Sequence, residues 1–478
     1  MSGSANPEAL RQLILQAVPT ETAQYGEAPP PGQIYVPAAH ARALRPESAL
    51  VVGIRGTGKS FWAGALQDVK ARAAIGGDVL PASVAISPGF GNQPLPDAYP
   101  GKAALRSLSE RFEPQMIWRT VVLSGCVGPA ARPPLGAGST WQERVSWVEA
   151  NPEPVDRMLF DLDLAFSGQG RQHLFVFDAL DRMADTWPEM NRLVRGLLQS
   201  VLDFRPYRSI RLKVFARPDQ IEDDMVMGFP DASKVVAQRT ELTWPRTDLY
   251  GLLWQLLGNA PGGELFRSGV AGGDWTRRGD AWEMPAELRR DEDRQRRTFQ
   301  TIAGPWMGRD RRRGIPYTWL VNHLGDARQQ VSPRSFLTAI RRAAEDDHSG
   351  QPYALHYEGL RAGVQAASEV RVAEIREDYS WIGPLLEPLK NLSVPCPANE
   401  ITRIWKNHGS LDALAEAAAT AEGVRLPPAH LGEREGGVLR DLEQLGMVEF
   451  IRDGRVNMPD VYRVRFGIGR RGGVKPVR

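Results

Sequence analysis

Lys59 and Ser60 close the segment Gly53-Ile54-Arg55-Gly56-Thr57-Gly58-Lys59-Ser60, which fits the pattern G-x-x-x-x-G-K-[ST] at every defined position. Such spacing supports phosphate binding. Gly53, Gly56 and Gly58 let the chain curl until successive backbone N–H groups surround phosphate oxygens, aided by the positive end of the helix that follows. Lys59 would neutralise the β- and γ-phosphates of a nucleoside triphosphate, and Ser60 would offer its hydroxyl to Mg²⁺. Arg55, Thr57 and Phe61 belong to the same candidate binding set. The context is the required one: an apolar run, Ala49 to Val52, precedes the loop and a helical pattern, Phe61 to Leu66, follows it.

A second nucleotide motif should be a buried strand ending in an acid. His173-Leu174-Phe175-Val176-Phe177-Asp178 supplies it, with Asp178 expected to hold the Mg²⁺ shell through water. Asp181, three residues on, can face the same site and is the candidate for polarising water; it equally suits a cap on the next helix. Arg217 follows the run Ile210 to Ala216 and resembles the residue that senses the γ-phosphate in P-loop ATPases of this topology, which makes it the candidate sensor. Arg334, in Ser332-Pro333-Arg334-Ser335, opens a helix with proline in its first turn and could reach over the nucleotide. Only eight of the 59 Lys and Arg residues are lysines. In so Arg-rich a chain, Arg217 and Arg334 also read as incidental, so the site rests on Lys59, Ser60 and Asp178.

These residues must be positioned by alternating strands and helices. Candidate strands are Ala49–Gly53, Ala82–Ile86, Ile117–Leu123, Leu174–Asp178 and Ile210–Ala216. They predict an α/β P-loop NTPase core, a parallel sheet in a three-layer αβα arrangement, over residues 48–241. Residues 1–47, with a Pro-rich stretch at Ala28-Pro29-Pro30-Pro31-Gly32, read as an N-terminal arm. From Leu242 the strand signal fades. Helical patterns at Thr247–Leu257, Pro316–Leu324 and Pro333–Glu345 predict a helical lid over 242–350, broken by a charged stretch that ends in Arg309-Asp310-Arg311-Arg312-Arg313 and reads as solvated. A long helix, Glu358–Glu377, occupies a helical linker, 351–392.

Residues 393–478 predict a winged helix. Helix candidates are Asn399–Trp405 and Gly436–Leu445, followed by a strand at Met447–Arg452, a turn at Asp453-Gly454-Arg455 and a return strand at Val461–Phe466. In that strand Tyr462, Val464 and Phe466 would face inward and Arg463 and Arg465 outward. From Met447 to the end, eight Arg and Lys stand against three acids. Arg452, Arg455, Arg470, Arg471, Lys475 and Arg478 could meet duplex DNA phosphates. An intramolecular or partner-docking role, or a plain surface tail, fits the same residues.

Length and composition bound the rest. At 478 residues the chain exceeds what one hydrophobic core usually fills. A net charge of +2 excludes a polybasic, histone-like binder while leaving room for local patches. Cys126 and Cys396 are too few for a zinc site or a disulfide scaffold. No apolar run reaches a membrane span, so a soluble, cytoplasmic chain with no membrane partner is expected.

The order of these motifs resembles the AAA+/STAND branch of P-loop ATPases, and Asp178-Ala179-Leu180-Asp181-Arg182 is similar to the D-D-L-D-R of KAP-type P-loop ATPases. The resemblance implies ATP and Mg²⁺ as ligands. The chain departs from KAP in lacking a membrane insertion. It also holds Ala179 where AAA+ hydrolases carry the water-activating glutamate, which implies slow turnover and argues against a processive motor. Soluble STAND-like ATPases resemble those of bacterial conflict systems, including antiphage defence, where the ATP state oligomerises and activates a partner; here that implies a homo-oligomer or a separately encoded effector. The alternatives are an initiator- or loader-like AAA+ ATPase that grips DNA, and a nucleotide-stabilised scaffold without turnover.

Overall fold

In the computed structural model, residues 6–19, 28–132, 134–136, 138–222, 224–346, 350–420, 424, 426–470 and 473–476 are described. Five parallel strands, β1 (Leu50–Val52), β2 (Val84–Phe90), β3 (Gln172–Phe177), β4 (Ile210–Ala216) and β5 (Arg239–Glu241), form a sheet in the order β2-β3-β4-β1-β5. Alternate side chains take opposite faces. Leu174 and Val176 pack with Val51 and Phe215, while Phe175 and Phe177 join the cluster of Leu50, Val52 and Val214. A sheet apolar on both faces must be covered on both, and this is the three-layer P-loop core that the strand pattern predicts.

Two strands differ from expectation. Ile117–Leu123 lies within a helix, Pro114–Val127, that opens on proline and buries Ile117, Trp118, Val121 and Val122. A helix covered on most sides carries an almost unbroken apolar run, which reads like a core strand. The fifth strand is instead Arg239–Glu241, short and polar, held by parallel pairing of Leu50 with Arg239.

Ahead of the core, helix α1 (Pro7–Ala17) and helix α2 (Ala38–Leu44) flank the Pro-rich stretch; helix α3 (Lys59–Gln67) follows the phosphate loop. Beyond β5, helices α4 (Arg246–Asn259), α5 (Pro316–Leu324), α6 (Pro333–Glu345) and α7 (Tyr357–Asp378) build a second core around Tyr250, Phe299, Tyr317 and Phe336. Helix α1 packs there, its last carbonyls Leu15 and Val18 accepting from Arg341 Nη1 at 2.8 and 2.6 Å.

The C-terminal region is a winged helix. Helices α8 (Ala398–Asn407), α9 (Ser410–Ala418) and α10 (Arg434–Gln444) accompany an antiparallel sheet of β6 (Cys396–Pro397), β7 (Glu449–Phe450) and β8 (Arg455–Asn457). The wing returns along β8, not along Val461–Phe466. Pro459 starts a helical turn, Asp460–Arg463, in which Arg463 pairs with Asp460 at 2.7 Å and is fully buried. Tyr462, Val464 and Phe466 are buried and Arg465 is exposed, as expected, but Arg463 is buried because the segment begins as a helical turn and not a strand. Leu385, Trp405, Leu426 and Leu439 share one apolar cluster with the sheet, so the winged helix is docked on the core. Trp381 Nε1 and Trp187 Nε1 donate to the carbonyls of Leu426 and Pro427, both at 2.9 Å. Among the described residues no helix is long and apolar enough to cross a membrane.

Candidate nucleotide-binding site

The loop between β1 and α3 has its carbonyls turned outward and secured. Lys59 Nζ donates to the carbonyls of Gly53 and Ile54 at 2.8 and 3.0 Å, and Thr57 Oγ1 also donates to Ile54 at 2.8 Å. The carbonyls of Arg55, Gly56 and Thr57 accept from Arg371 Nη1 (2.6 Å), Ser332 Oγ (3.3 Å) and Trp244 Nε1 (2.9 Å). With the carbonyls held, the amides of Gly56, Gly58, Lys59 and Ser60 have no acceptor among the described residues. They form the start of a helix, which attracts anions. Gly56 sits at φ +81°, and a Cβ there would meet Ser332 Oγ at 2.5 Å; at Gly53 it would meet Thr57 Oγ1 at 2.4 Å.

Behind the loop, His40 of α2 fixes the aromatic wall. Trp62 Nε1 donates to His40 Nδ1 at 3.0 Å, so His40 Nε2 carries the proton given to the Thr243 carbonyl, also at 3.0 Å. Burial, partly offset by that carbonyl, pushes this imidazole down to about 3, which keeps it neutral.

Lys59, Ser60, Asp178 and Asp181 line one cavity of about 600 Å³ at the C-terminal ends of the strands. Ser60 lies beside Asp178 and helps lower its carboxyl, and Asn92 Nδ2 donates to Ser60 at 3.4 Å. Burial raises Asp178, opposed by Ser60, by the Ala179 amide and by the charge of Lys59. Ala179 adopts a left-handed conformation, φ 55°, and its amide meets the Asp178 carboxylate. Lys59 is lowered to about 8 by burial and then by Arg217, against the pull of Asp178 and Asp181. A hydroxyl beside a buried carboxylate at a phosphate loop fits Mg²⁺, which takes few protein ligands and keeps phosphate and water oxygens. Asp181 faces this cavity from the single turn Leu180–Arg182.

Arg55, Arg217 and Arg334 also line the cavity, yet each is engaged by a carboxylate at the end of α7. Arg55 pairs with Glu377 and Asp378. Arg217 Nη1 donates to Asp378 at 2.6 Å, and Arg334 pairs with Glu374. Of the binding set expected from sequence, Gly56, Gly58 and Phe61 line the cavity with the others, whereas Gly53 and Thr57 lie in the same loop but outside its lining.

The apolar lining of the cavity was not legible as part of a site. Pro30 and Tyr35, from the stretch read as an arm, line it with Trp244, Leu252 and Leu337. Tyr35 stacks on Trp244 at 6.4 Å and 29°. This apolar lining, in the same cavity as the phosphate loop, suits a planar base. The signal was an aromatic residue after the Pro-rich stretch, with its partner some two hundred positions away.

No protein-family model and no curated protein matches the chain. Solved structures similar to it include two archaeal proteins. One is Cdc6p from Pyrobaculum aerophilum, with 11% identity, 87% of this chain and 83% of that chain covered, and a TM-score of 0.30. The other is the ORC2 protein of Aeropyrum pernix, solved as ADPNP–ADP complexes, with 13% identity, 87% and 84% coverage and a TM-score of 0.35. Superpositions this loose transfer no residue roles.

The surface of the winged helix is largely neutralised. On α10, Arg434 pairs with Asp412 at 2.9 Å and Arg440 with Glu433 at 3.0 Å. On the wing, Arg455 pairs with Asp453 at 2.7 Å, and Arg470 lies 3.8 Å from buried Asp460. Arg452 and Lys475 are exposed, whereas Arg471 and Arg478 lie outside the described residues.

Proposed function

We propose that this chain is a slow AAA+-type P-loop ATPase that works as a nucleotide-driven switch. The observation that carries the reading is convergence: an amide-lined loop, Lys59, Ser60 and Asp178 meet in one cavity that is also lined by apolar and aromatic side chains. The β-order, which inserts β4 between β1 and β3, supports the AAA+ assignment. We take residues 48–241 as the catalytic core, 242–350 as its lid, 351–392 as a linker and 393–478 as the winged helix.

In this reading the amides of the loop and Lys59 bind the phosphates, and Tyr35 and Trp244 hold the base. Ser60 and Asp178 would hold Mg²⁺ brought by ATP, whose contribution there is to neutralise phosphate charge. Asp181 orients water for attack; with Ala179 at the usual base position, turnover is slow. The docked winged helix favours an intramolecular brake over DNA readout, because its third helix presents paired charges and base-reading helices need free ones. The likeness of Asp178-Ala179-Leu180-Asp181-Arg182 to KAP-type and STAND ATPases supports a role in antiphage defence or a related conflict system, with assembly or effector recruitment in the ATP state.

Titration calorimetry with MgATP and MgADP tests the core of this proposal. Wild type binds both and Lys59→Ala loses about 3 kcal/mol, roughly a hundredfold. Equal affinity in the two proteins would overturn it. Asp181→Asn should leave binding intact and slow phosphate release at least about tenfold; unchanged release removes Asp181 from the mechanism.

A further inference from the structure

Helix α7 ends in Glu374, Glu377 and Asp378, whose spacing of three and four places them on one face. Three acids at a helix C-terminus oppose the helix dipole, so the helix gains nothing locally from them. Their partners are three arginines of the nucleotide cavity: Arg334 on Glu374, and Arg55 and Arg217 on Asp378, with Arg55 also on Glu377. Of the four cations that line the cavity, only Lys59 is left to its own loop.

The pairing is incomplete as a hydrogen-bond network. Glu374 and Asp378 are 7% and 5% exposed; Arg334 Nε is buried without a hydrogen-bond partner among the described residues, while Arg217 Nε and Glu374 Oε2, also without a hydrogen bond, have only ionic contacts, to Asp219 at 3.3 Å and Arg371 at 3.7 Å. Half-satisfied buried networks are poor structural glue. A single dianionic group set among the three guanidinium groups could take them from three separate carboxylates. The terminal phosphate of a nucleoside triphosphate, dianionic with three oxygens, is such a group.

Resting on the nucleotide reading above, we propose that Glu374, Glu377 and Asp378 are specificity residues that stand in for the γ-phosphate and so set the preference between nucleoside diphosphate and triphosphate. With diphosphate bound, the carboxylates keep the arginines and α7 stays on the loop. A γ-phosphate competes for the same guanidinium groups and displaces the end of α7. The displacement reaches the winged helix because α7 carries it: Arg371 Nε donates to Tyr462 Oη at 3.2 Å, and Ser368 Oγ accepts from the Arg465 amide at 3.1 Å.

The test is a titration of the full chain with MgADP and with the non-hydrolysable analogue Mg–ADPNP. In E374Q/E377Q/D378N, ADPNP affinity rises at least fivefold while ADP affinity stays within twofold of wild type. E377Q alone, at a two-thirds exposed position that tolerates the change, gives a smaller shift in the same ratio. A ratio unmoved in both proteins, or equal shifts for both nucleotides, overturns the proposal. Wild type that binds neither nucleotide overturns the site reading itself, and this one with it.

Discussion

The α/β core and the winged helix each bury one cation completely, and they satisfy it in opposite ways. Lys213 of β4 donates three bonds to backbone, the carbonyls of Ala43, Arg45 and Ser48, at 2.6, 2.9 and 2.5 Å. Arg463 is held by the Asp460 carboxylate, with the carbonyls of Ile468 and Val474 at 2.9 and 2.7 Å. The three acceptors of Lys213 match the three N–H bonds of an ammonium and lie within six residues of one another, in the turn that launches β1. Asp460, by contrast, also accepts from His323 Nδ1 of α5 at 2.6 Å. Thus the core cation stiffens a local turn beneath the phosphate loop, whereas the winged-helix cation belongs to a side-chain junction with the lid. The first kind of contact opens only by unfolding; the second can exchange partners.

The largest expected effect breaks the junction. Asp460→Ala leaves Arg463 buried without its counter-charge, at a cost of about 3–5 kcal/mol, and should loosen the winged helix before the core. Denaturant unfolding followed by hydrogen exchange would show early exchange in 396–470 with the sheet still protected. Next is Lys213→Met, which removes the donor from three buried carbonyls and should cost about 3 kcal/mol. Here the unfolding should stay a single transition; separate loss of the winged helix would contradict the comparison.

The same contrast explains how much was legible in sequence. Gly53 to Ser60 contact one another within a few positions, and Asp178 ends a contiguous apolar strand, so these could be read directly. Ile117–Leu123 could not be told from a strand, because burial on most sides erased the helical period. Arg463 was assigned to a wet face because its counter-ion, Asp460, matters only once Pro459 has turned the chain. The pairings of Arg55 and Arg217 with Asp378 span 323 and 161 positions. No local pattern encodes a contact of that range. Arg217 and Arg334 were named by position alone; their partners emerged only when α7 was placed against the loop.

Acid should separate the two regions by a smaller margin. His40, wholly buried in the core, is pushed down to about 3, and His173 to about 4, burial being the main cause in both. An unfolded histidine takes up a proton below about 6.5 while the folded ones refuse it, so stability falls as pH drops through that window. His40 alone should contribute a loss of about 2 kcal/mol at pH 5. Asp460 behaves otherwise: burial raises it, but the bond from His323, the charge of Arg463 and the Val474 amide hold it below the ordinary carboxylate value. Its contribution is present above that value and persists at pH 5. Denaturation at pH 7 and pH 5, with His40→Gln flattening the difference, checks this; an unchanged pH slope in the variant would sink it.

The smallest effect concerns the outer face of the winged helix. Arg434 and Arg440 are half exposed and paired with Asp412 and Glu433, so alanine at either should change stability by less than about 0.5 kcal/mol. If these arginines instead served to grip duplex DNA, their loss would weaken binding and lower its salt dependence by about one ion for each phosphate contact removed. A brake needs no such contact: its attachment runs from Asp460 to His323 of α5, and from Tyr462 and Arg465 to Arg371 and Ser368 of α7. The double variant Arg434→Ala/Arg440→Ala should therefore leave both nucleotide affinity and DNA retention unchanged in a fluorescence titration across salt concentrations. A salt slope lowered by two would make α10 a DNA-reading helix and recast the docked winged helix as one of its resting positions.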